Sequence, residues 1–348
     1  MSRRSEIKSR YIFIFGLIFF PAVIMINQVL HGQNTEIIRE DEKSEKPEIK
    51  WISQFSGSSD FDNRDNLPRR FLNFLFGIDD FRLIRPVGII TYDTQKWIIL
   101  DQGLEKIVVS NQTEGKIQLL KSNTNLPSLV GVCRGAGDLI YFTDSYLNKI
   151  YFLRANEPKL NLMSDTLALS QPTGIAYLES TDEVWVVETG RHRIVILNRS
   201  GEIIRYLGSR GVEPGEFNFP TFIWIDNRGT VYIVDSMNFR VQIFSKEGRL
   251  LSVFGEAGDA TGYFARPKGI ATDSHGNIYV VDAVFHTVQI FDSRGNYLSN
   301  FGEQGGEAGQ FWLPMGIYID DRDRIYVADS YNARIQVFQL ITRGDSEN

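Results

Sequence analysis

The sequence is poor in the residues that build disulfides and zinc sites. It has 348 residues but a single cysteine, Cys133, so no disulfide can form within the chain. Its four histidines are His31, His192, His275 and His286, and no cysteine–histidine spacing typical of a zinc site occurs. A nucleophile elbow, a phosphate-binding loop and a dinucleotide fingerprint are also absent from the sequence. We therefore expect no bound metal and no cofactor.

The chain also lacks an excess of positive charge: it has 37 Lys and Arg residues against 43 Asp and Glu residues. The formal net charge at pH 7 is −6, so a broad electrostatic attraction to nucleic acid is not expected, and we exclude nucleic acid as a partner. Hydrophobic residues make up 43% of the chain and charged residues 23%, which is typical of a packed globular protein.

One long apolar run is present, at the N-terminus. Basic residues precede it: Arg3, Arg4, Lys8 and Arg10. The run itself, YIFIFGLIFFPAVIMI (11–26), carries no charge. Continued to Leu30, it approaches the length of about 20 residues that crosses a bilayer. Residues 1–30 therefore predict a membrane anchor inserted through 11–30, with its basic side in the cytoplasm and the rest of the chain outside.

A cleaved signal peptide is the alternative, and the protein would then be secreted. Cleavage prefers small residues at positions −1 and −3. Between Asn27 and Asn34 the only small residue is Gly32, and Leu30 stands at its −3 position. This favours the uncleaved anchor. The polar, mixed-charge residues that follow, 31–48, predict a linker.

Residues 49–340 contain six copies of one repeat. Each copy begins near a Pro-x-Gly, whose glycine position holds Gly88, Gly131, Gly174, Phe222, Gly269 and Gly316. A second marker is an acid near the middle of each copy: Asp101, Asp144, Glu188, Asp235, Asp282 and Asp329. Both markers recur every 43–48 residues, a period typical of propeller blades.

Inside each copy the pattern is that of β-strands. In residues 222–255, four short runs rich in Val, Ile, Tyr and Phe alternate with turns that contain Gly, Asn or Asp. We label these strands A to D in chain order. Six copies of four antiparallel strands predict an all-β fold, a six-bladed β-propeller, preceded by the N-terminal transmembrane helix.

The repeats also resemble a known family. The segments VDSMNFRVQIF (234–244) and ADSYNARIQVF (328–338) are similar to NHL repeats, and the similarity extends over 49–340. The resemblance implies a six-bladed propeller of NHL type. The segment before the first copy resembles that of exported bacterial NHL-repeat proteins. This implies a bacterial inner-membrane protein whose propeller lies in the periplasm or outside the cell.

The stretch KWISQF (50–55) resembles a D strand, yet it precedes the first copy. The sixth copy supplies only strands A, B and C, and the last of these ends in RIQVFQL (334–340). An open ring would leave unpaired strand edges. We therefore predict that residues 49–57 close the ring as the D strand of the last blade, and that 341–348 form a tail.

A short helix is predicted between the closing strand and the first blade. The segment NLPRRFLNFLFG (66–77) has a capping asparagine, an early proline and a terminal glycine. Its apolar stripe consists of Phe71, Leu72, Leu75 and Phe76. The helix either buries this stripe on the propeller or presents it to a partner or a membrane.

The regularly placed acids are interpreted as structural. Each marker acid follows strand B and precedes a turn, where a carboxylate accepts hydrogen bonds from turn amides. Basic residues recur just before strand C and can pair with these acids: Lys106, Lys149, Arg193, Arg240 and Arg334. Asp226, Asp273 and Asp320 end A strands ahead of turns and are interpreted in the same way.

The remaining candidates form a surface. Strands alternate in direction, so the B–C turns and the D–A connections share one face of the propeller. The candidate binding residues in these turns are Tyr146, Arg191, His192, Phe239, Arg240, Phe285 and Tyr331. Aromatic residues and arginine are typical of binding hot spots. Phe217, Phe264 and Phe311, which keep one place in the repeat, are instead expected to wedge between blades.

These observations favour a non-catalytic interaction or assembly scaffold that binds a protein or an extracellular polymer through that face. The alternative is a propeller enzyme of the lyase or lactonase type, with its site at the central channel. The related peptidylamidoglycolate lyases carry zinc-binding histidines near the start of inner strands. The matching positions here hold Val87, Thr173, Lys268 and Met315, which argues against zinc lyase chemistry.

Overall fold

A computed structural model describes residues 46–61, 81–92, 95–120, 124–155 and 157–341. The predicted anchor, most of the linker, the predicted helix 66–77 and nearly all of the tail lie outside these residues. Within the described ranges, no helix is both long and apolar enough to cross a membrane.

The described chain forms 24 β-strands in six antiparallel sheets. Strand β1 is Glu48–Phe55. Blade 1 contains β2 Pro86–Thr91, β3 Lys96–Asp101, β4 Lys106–Asn111 and β5 Lys116–Leu119. Blade 2 contains β6 Leu129–Arg134, β7 Leu139–Asp144, β8 Lys149–Arg154 and β9 Glu157–Leu162. Blade 3 contains β10 Pro172–Leu178, β11 Glu183–Glu188, β12 Arg193–Leu197 and β13 Ile203–Leu207.

The second half of the chain repeats this arrangement. Blade 4 contains β14 Pro220–Ile225, β15 Val231–Asp235, β16 Arg240–Phe244 and β17 Leu250–Phe254. Blade 5 contains β18 Pro267–Thr272, β19 Ile278–Asp282, β20 Thr287–Phe291 and β21 Tyr297–Phe301. Blade 6 contains β22 Ile317–Ile319, β23 Arg324–Asp329 and β24 Arg334–Ile341. Short 3-10 helices are formed by Ser58–Phe61, Thr189–Arg191, Ser236–Asn238 and Ser330–Asn332. The predicted six-bladed, four-stranded architecture is confirmed.

Each sheet stacks against its neighbours, so its middle strands are buried on both sides. Every residue of β15, β19 and β11 is buried, which explains why their sequences are almost continuously apolar instead of alternating. The hydrophobic clusters accordingly lie between consecutive blades; one joins Trp185 of blade 3 to Ile233 of blade 4.

Three phenylalanines of the D–A connections complete these clusters. Phe217, Phe264 and Phe311 are each 0% exposed, and their ring centroids lie 5.9, 5.6 and 5.8 Å from rings of the C strands of blades 4, 5 and 6. The predicted wedges are therefore confirmed. A glycine has to precede each wedge: a Cβ at Gly302, whose φ is +88°, would lie 2.3 Å from the Phe311 ring.

The last blade obtains its outer strand from the beginning of the propeller. β1 pairs antiparallel with β24, so the sheet order is β1-β24-β23-β22. Two side-chain bonds reinforce the pairing: Trp51 Nε1 donates to Gln336 Oε1 at 3.0 Å, and Arg334 Nη1 donates to Gln54 Oε1 at 2.8 Å. The structure places KWISQF where the sequence analysis expects the closing strand.

Hydroxyl groups also link neighbouring blades. The residue after the marker acid donates to the proline carbonyl of the next blade, from Thr189 to Pro220 at 2.7 Å and from Ser236 to Pro267 at 3.2 Å. Ser330 repeats this bond across the ring junction and donates to the Pro86 carbonyl at 2.5 Å. The junction between blades 6 and 1 thus uses the same contact as the junctions between blades 3 and 4 and between blades 4 and 5.

Candidate functional site

The marker acids are structural elements of the blades. All six are 0% exposed. Asp235 is representative: it accepts from the Asn218 backbone amide at 2.6 Å and from Arg240 Nε at 2.8 Å. Each of the six carboxylates accepts hydrogen bonds from the connection ahead of its blade and from its own turn. The acids are therefore unavailable for chemistry on a ligand, as the sequence predicts.

The acids that end the A strands organise the A–B turns. Asp273 accepts from the backbone amides of His275 and Asn277 at 3.0 and 2.8 Å, and from the Tyr279 hydroxyl at 3.0 Å. Burial, with the charge of Asp273 as a smaller cause, raises the pKa of Tyr279 well above its usual value, so the phenol stays protonated and donates. Asp226 and Asp320 repeat this geometry.

We define the loop face as the side formed by the B–C turns and the D–A connections, and the hairpin face as the side formed by the A–B and C–D turns. All seven candidate binding residues belong to the loop face, but they differ in accessibility. Tyr146 is 75% exposed and Tyr331 is 54% exposed. Phe239 and Phe285 are partly buried. Arg191 is exposed in part and pairs with Glu188 at 2.7 Å.

Three of the seven candidates are engaged by the fold: Arg191 pairs with the marker acid Glu188, and His192 and Arg240 bond backbone atoms of D–A connections. His192 is buried, and its Nδ1 accepts from the Phe219 backbone amide at 3.1 Å. Arg240 donates to Asp235 and to three backbone carbonyls of the preceding D–A connection. Desolvation, with a smaller effect of Arg210, lowers the pKa of His192. As a binding surface, the set of seven remains a prediction.

The turn geometry identifies one position that points to solvent. Two residues after the marker acid stand Tyr146, Met237, Val284 and Tyr331, and each of them is exposed. The corresponding residues of blades 1 and 3 are Gly103 and Gly190. The fourth residue after the acid has a left-handed backbone conformation and a less exposed side chain, as in His192 and Phe239. Met237 and Val284 are not among the seven predicted residues, because all seven are aromatic, arginine or histidine residues.

Exposed apolar side chains are confined to two locations among the described residues. One group lies on outermost strands: Trp51, Ile52, Leu119, Ile203, Ile204, Tyr206, Leu250 and Leu251. The other lies on the loop face: Ile84, Tyr146, Val212, Phe219, Met237, Tyr263, Val284, Trp312 and Tyr331. Within this face Trp312 and Tyr331 pack together, with ring centroids 5.9 Å apart.

The A strands surround a central channel. Glycines allow adjacent strands to approach closely there: a Cβ on Gly131 would lie 2.3 Å from the Thr173 carbonyl oxygen, and one on Gly316 would lie 2.5 Å from that of Val87. In blade 4 the corresponding position holds Phe222 in place of glycine. A cavity of about 1010 Å³ begins at these glycine positions and extends between the A strands to the A–B turns of the hairpin face. We call it the channel chamber.

Aromatic residues stand in the wall of the chamber. Trp224 donates its Nε1 proton to Thr272 Oγ1 at 2.9 Å, which fixes the indole of blade 4 against blade 5. Its ring meets Tyr318 of blade 6 edge to face, with centroids 6.0 Å apart. Trp224 stands where other blades carry smaller residues such as Ala176 and Ala271.

Two potentially reactive side chains lie near the A strands. Cys133 lines the chamber, but burial raises the pKa of its thiol far above the usual range, which disfavours the reactive thiolate. Lys268 follows the proline of blade 5, and burial, with a smaller contribution from Arg266, lowers its pKa to about 8. Over the described parts of the chain, no group of three or more His, Cys, Asp or Glu side chains is placed to hold a metal ion.

Comparison with known proteins supports the repeat assignment. Three blades match the NHL repeat, over residues 169–197, 264–291 and 311–338. No curated protein matches the chain. The described residues therefore form an all-β, six-bladed propeller that carries NHL repeats.

Similar solved structures share the fold at low sequence identity. Virginiamycin B lyase from Staphylococcus aureus is 16% identical, with a TM-score of 0.57 over 84% of this chain and 100% of that chain. An auxiliary nutrient binding protein from Bacteroides ovatus is 11% identical, with a TM-score of 0.60 over 75% and 70%. A gluconolactonase from Xanthomonas campestris is 14% identical, with a TM-score of 0.57 over 74% and 87%. At these identities the likeness shows the fold alone.

Proposed function

We propose that this NHL-repeat propeller is a non-catalytic interaction or assembly scaffold that binds a protein or an extracellular polymer through its loop face. The observation that carries the proposal is the placement of exposed apolar side chains. Outside the outermost strands, those of the described residues all lie on the loop face. Contiguous apolar surface on a soluble domain is a mark of an interaction site.

The strongest part of this surface spans three consecutive blades. Met237, Val284 and Tyr331 occupy the solvent-facing turn position of blades 4, 5 and 6, and Trp312 packs beside Tyr331. Tryptophan and tyrosine are enriched among residues that dominate binding energy, since they bury a large area with few rotatable bonds. The pair Trp312–Tyr331 is therefore the proposed centre of the binding surface.

The variants that test the loop face are Trp312→Ala and Tyr331→Ala, made singly. Matched controls are Arg228→Ala and Arg322→Ala, in exposed A–B turns of the hairpin face. The partner is captured by in-cell crosslinking followed by affinity purification, and its affinity is then measured for all four variants. A true hot spot costs about 2 kcal/mol or more on truncation to alanine. Weakening by the hairpin-face controls alone would refute the proposed surface.

We place the scaffold on the outer side of a bacterial cytoplasmic membrane, held by residues 11–30, with secretion after signal cleavage as the alternative. The support is the uncharged run that follows four basic residues. A periplasmic reporter fused after Asn348 is expected to be active, and a cytoplasmic reporter at the same site inactive. The mass of the mature N-terminus separates the anchored form from the cleaved one.

An enzyme of the lyase or lactonase type remains the second candidate, and the channel chamber is the observation that favours it. Two of the similar structures are a virginiamycin B lyase and a gluconolactonase, whereas a third is an auxiliary nutrient binding protein. Turnover of a lactone or of an amidated-peptide precursor by the purified chain would overturn the scaffold proposal. That turnover would have to be lost in a chamber variant such as Trp224→Ala to belong to this site.

A further inference from the structure

The channel chamber is large and lies apart from the loop face. Its volume of about 1010 Å³ is at the upper end of the range for small-molecule sites. Its walls are the A strands of the blades, and its outer rim is formed by the A–B turns. Binding of a ligand in the chamber is therefore independent of the proposed scaffold function of the loop face.

The inner part of the chamber is apolar and aromatic. Apolar side chains from all six blades line it: Ile90, Val132, Ile175, Ile223, Ile270 and Ile317. Trp224 and Tyr318 stand together in this wall, the first held by Thr272 and the second buried. Rigid aromatic rings between apolar walls are suited to the hydrocarbon part of a small molecule, and their faces attract cations.

The rim has an excess of negative charge. Its carboxylates are Glu179, Asp226, Asp273, Asp320, Asp321 and Asp323, and its basic side chains are Arg134, Arg228 and Lys246. These lining residues sum to −3, and Arg324, which pairs with Asp320 at 2.7 Å, reduces the net charge of the rim to −2. A recess with low-dielectric walls and charge of one sign focuses the field at its mouth, so it concentrates ligands of the opposite sign.

We propose that the channel chamber binds an organic cation, a quaternary or protonated amine that carries an apolar group. The apolar group lies among the isoleucines and against Trp224, and the cationic nitrogen lies between the aromatic rings and the acidic rim. A neutral ligand of the same shape gains only the apolar contact, and an anion meets the net negative rim. The site discriminates by charge and accepts a range of apolar groups.

The experiment is a comparison of three ligands that share a benzyl or phenyl ring and differ in charge. Benzyltrimethylammonium, benzyl alcohol and benzenesulfonate are titrated by calorimetry into the purified full-length chain in a non-ionic detergent. A cation–π contact of about 0.5–2 kcal/mol corresponds to about two- to thirty-fold tighter binding of the cation than of the alcohol. The sulfonate is expected to bind most weakly, and added salt is expected to reduce the preference for the cation.

Variants locate the binding. Asp321→Asn and Glu179→Gln remove exposed carboxylates of the rim, so the fold should tolerate them, and each should weaken the cation while leaving benzyl alcohol unchanged. Glu256→Gln, an exposed acid of the loop face, is the matched control and should have no effect. Trp224→Ala should weaken both ligands if it folds.

Three results would each overturn the proposal: equal binding of cation and alcohol, preference for the sulfonate, or no cation binding in the millimolar range. A fourth would be cation binding that the rim variants leave intact.

Discussion

Truncation of Phe55 tests whether the N-terminal strand closes the ring in solution. Phe55 ends β1, pairs with Ile335 and is 1% exposed. Its ring packs between Phe61, at a centroid distance of 5.5 Å, and Trp97 of blade 1, at 5.9 Å. One side chain thus joins the outer strand of the last blade to the first blade. Phe55→Ala should therefore weaken the junction on which closure depends.

The expected loss of stability in Phe55→Ala follows from the burial of the phenylalanine ring. Replacing a fully buried phenylalanine by alanine removes its apolar contacts and leaves a cavity, and it costs about 3–5 kcal/mol. In a domain of more than 200 residues each kcal/mol lowers the melting temperature by about 2 °C or slightly more. Phe55→Ala is thus expected to melt about 6–10 °C below the parent chain, measured by circular dichroism at a fixed scan rate.

A matched control lies three residues earlier in the same strand. Ile52 is 47% exposed at the β-bulge between Trp51 and Ser53, so Ile52→Ala should change the melting temperature by about 1 °C or less. Deleting 49–57 should have a larger effect than Phe55→Ala, and deleting 31–46 should have almost none. If Phe55→Ala and Ile52→Ala had the same melting temperature, the propeller would have to be closed in another way and the reasoning would be refuted.

Three further predictions concern single side chains. Ser330→Ala removes the bond to the Pro86 carbonyl and should destabilise the fold by about 1–2 kcal/mol in urea unfolding, whereas Ser245→Ala in an exposed C–D turn should not. The lowered pKa of His192 predicts that folding stability is full above about pH 6.5 and falls as the pH drops from there through the folded-state pKa. His192→Asn, which keeps an acceptor as Asn148 does toward Gln171, should flatten that fall, and an unchanged pH profile would contradict it. The pKa of Lys268 is lowered from 10.5 to about 8, so its positive charge destabilises the folded state at neutral pH. Lys268→Met should therefore stabilise the fold at pH 7 by up to about 3 kcal/mol, and this gain should shrink as the pH rises from 8 to 10.5. A gain that did not change with pH would show that burial of the charge is not its cause.

The sequence predicts the architecture well because the signals are local and repeated. A marker acid, a turn and an apolar strand recur in every copy, and the same physical reason applies each time: buried turn amides need an acceptor. The wedge phenylalanines and the closing strand follow from the same register. Even the partial copy at KWISQF is informative, because a sheet edge without a partner is unfavourable in a ring.

The candidate site was less predictable because it depends on relations between blades. His192 was a reasonable surface candidate from sequence, but its Nδ1 accepts an amide proton from Phe219, 27 residues away in the next connection. Arg240 likewise donates to carbonyls of the connection ahead of its own blade. The rim of the channel chamber combines Glu179, Arg228 and Asp321 from three blades, and no short motif indicates that these residues share a cavity.

The repeat itself suggests which turn position is free for recognition. The marker acid accepts hydrogen bonds from backbone amides, and the residue after it often donates to a carbonyl of the neighbouring blade. The fourth residue after the acid has a left-handed backbone conformation. The third residue, where it is Asn238 or Asn332, donates to a backbone carbonyl of the connection ahead of the blade. The second residue after the acid is exposed in the turns of blades 2, 4, 5 and 6. A residue at this position that served solubility alone would be polar. The chain instead places Tyr146, Met237, Val284 and Tyr331 there, at a cost in exposed apolar surface that a bound partner would offset.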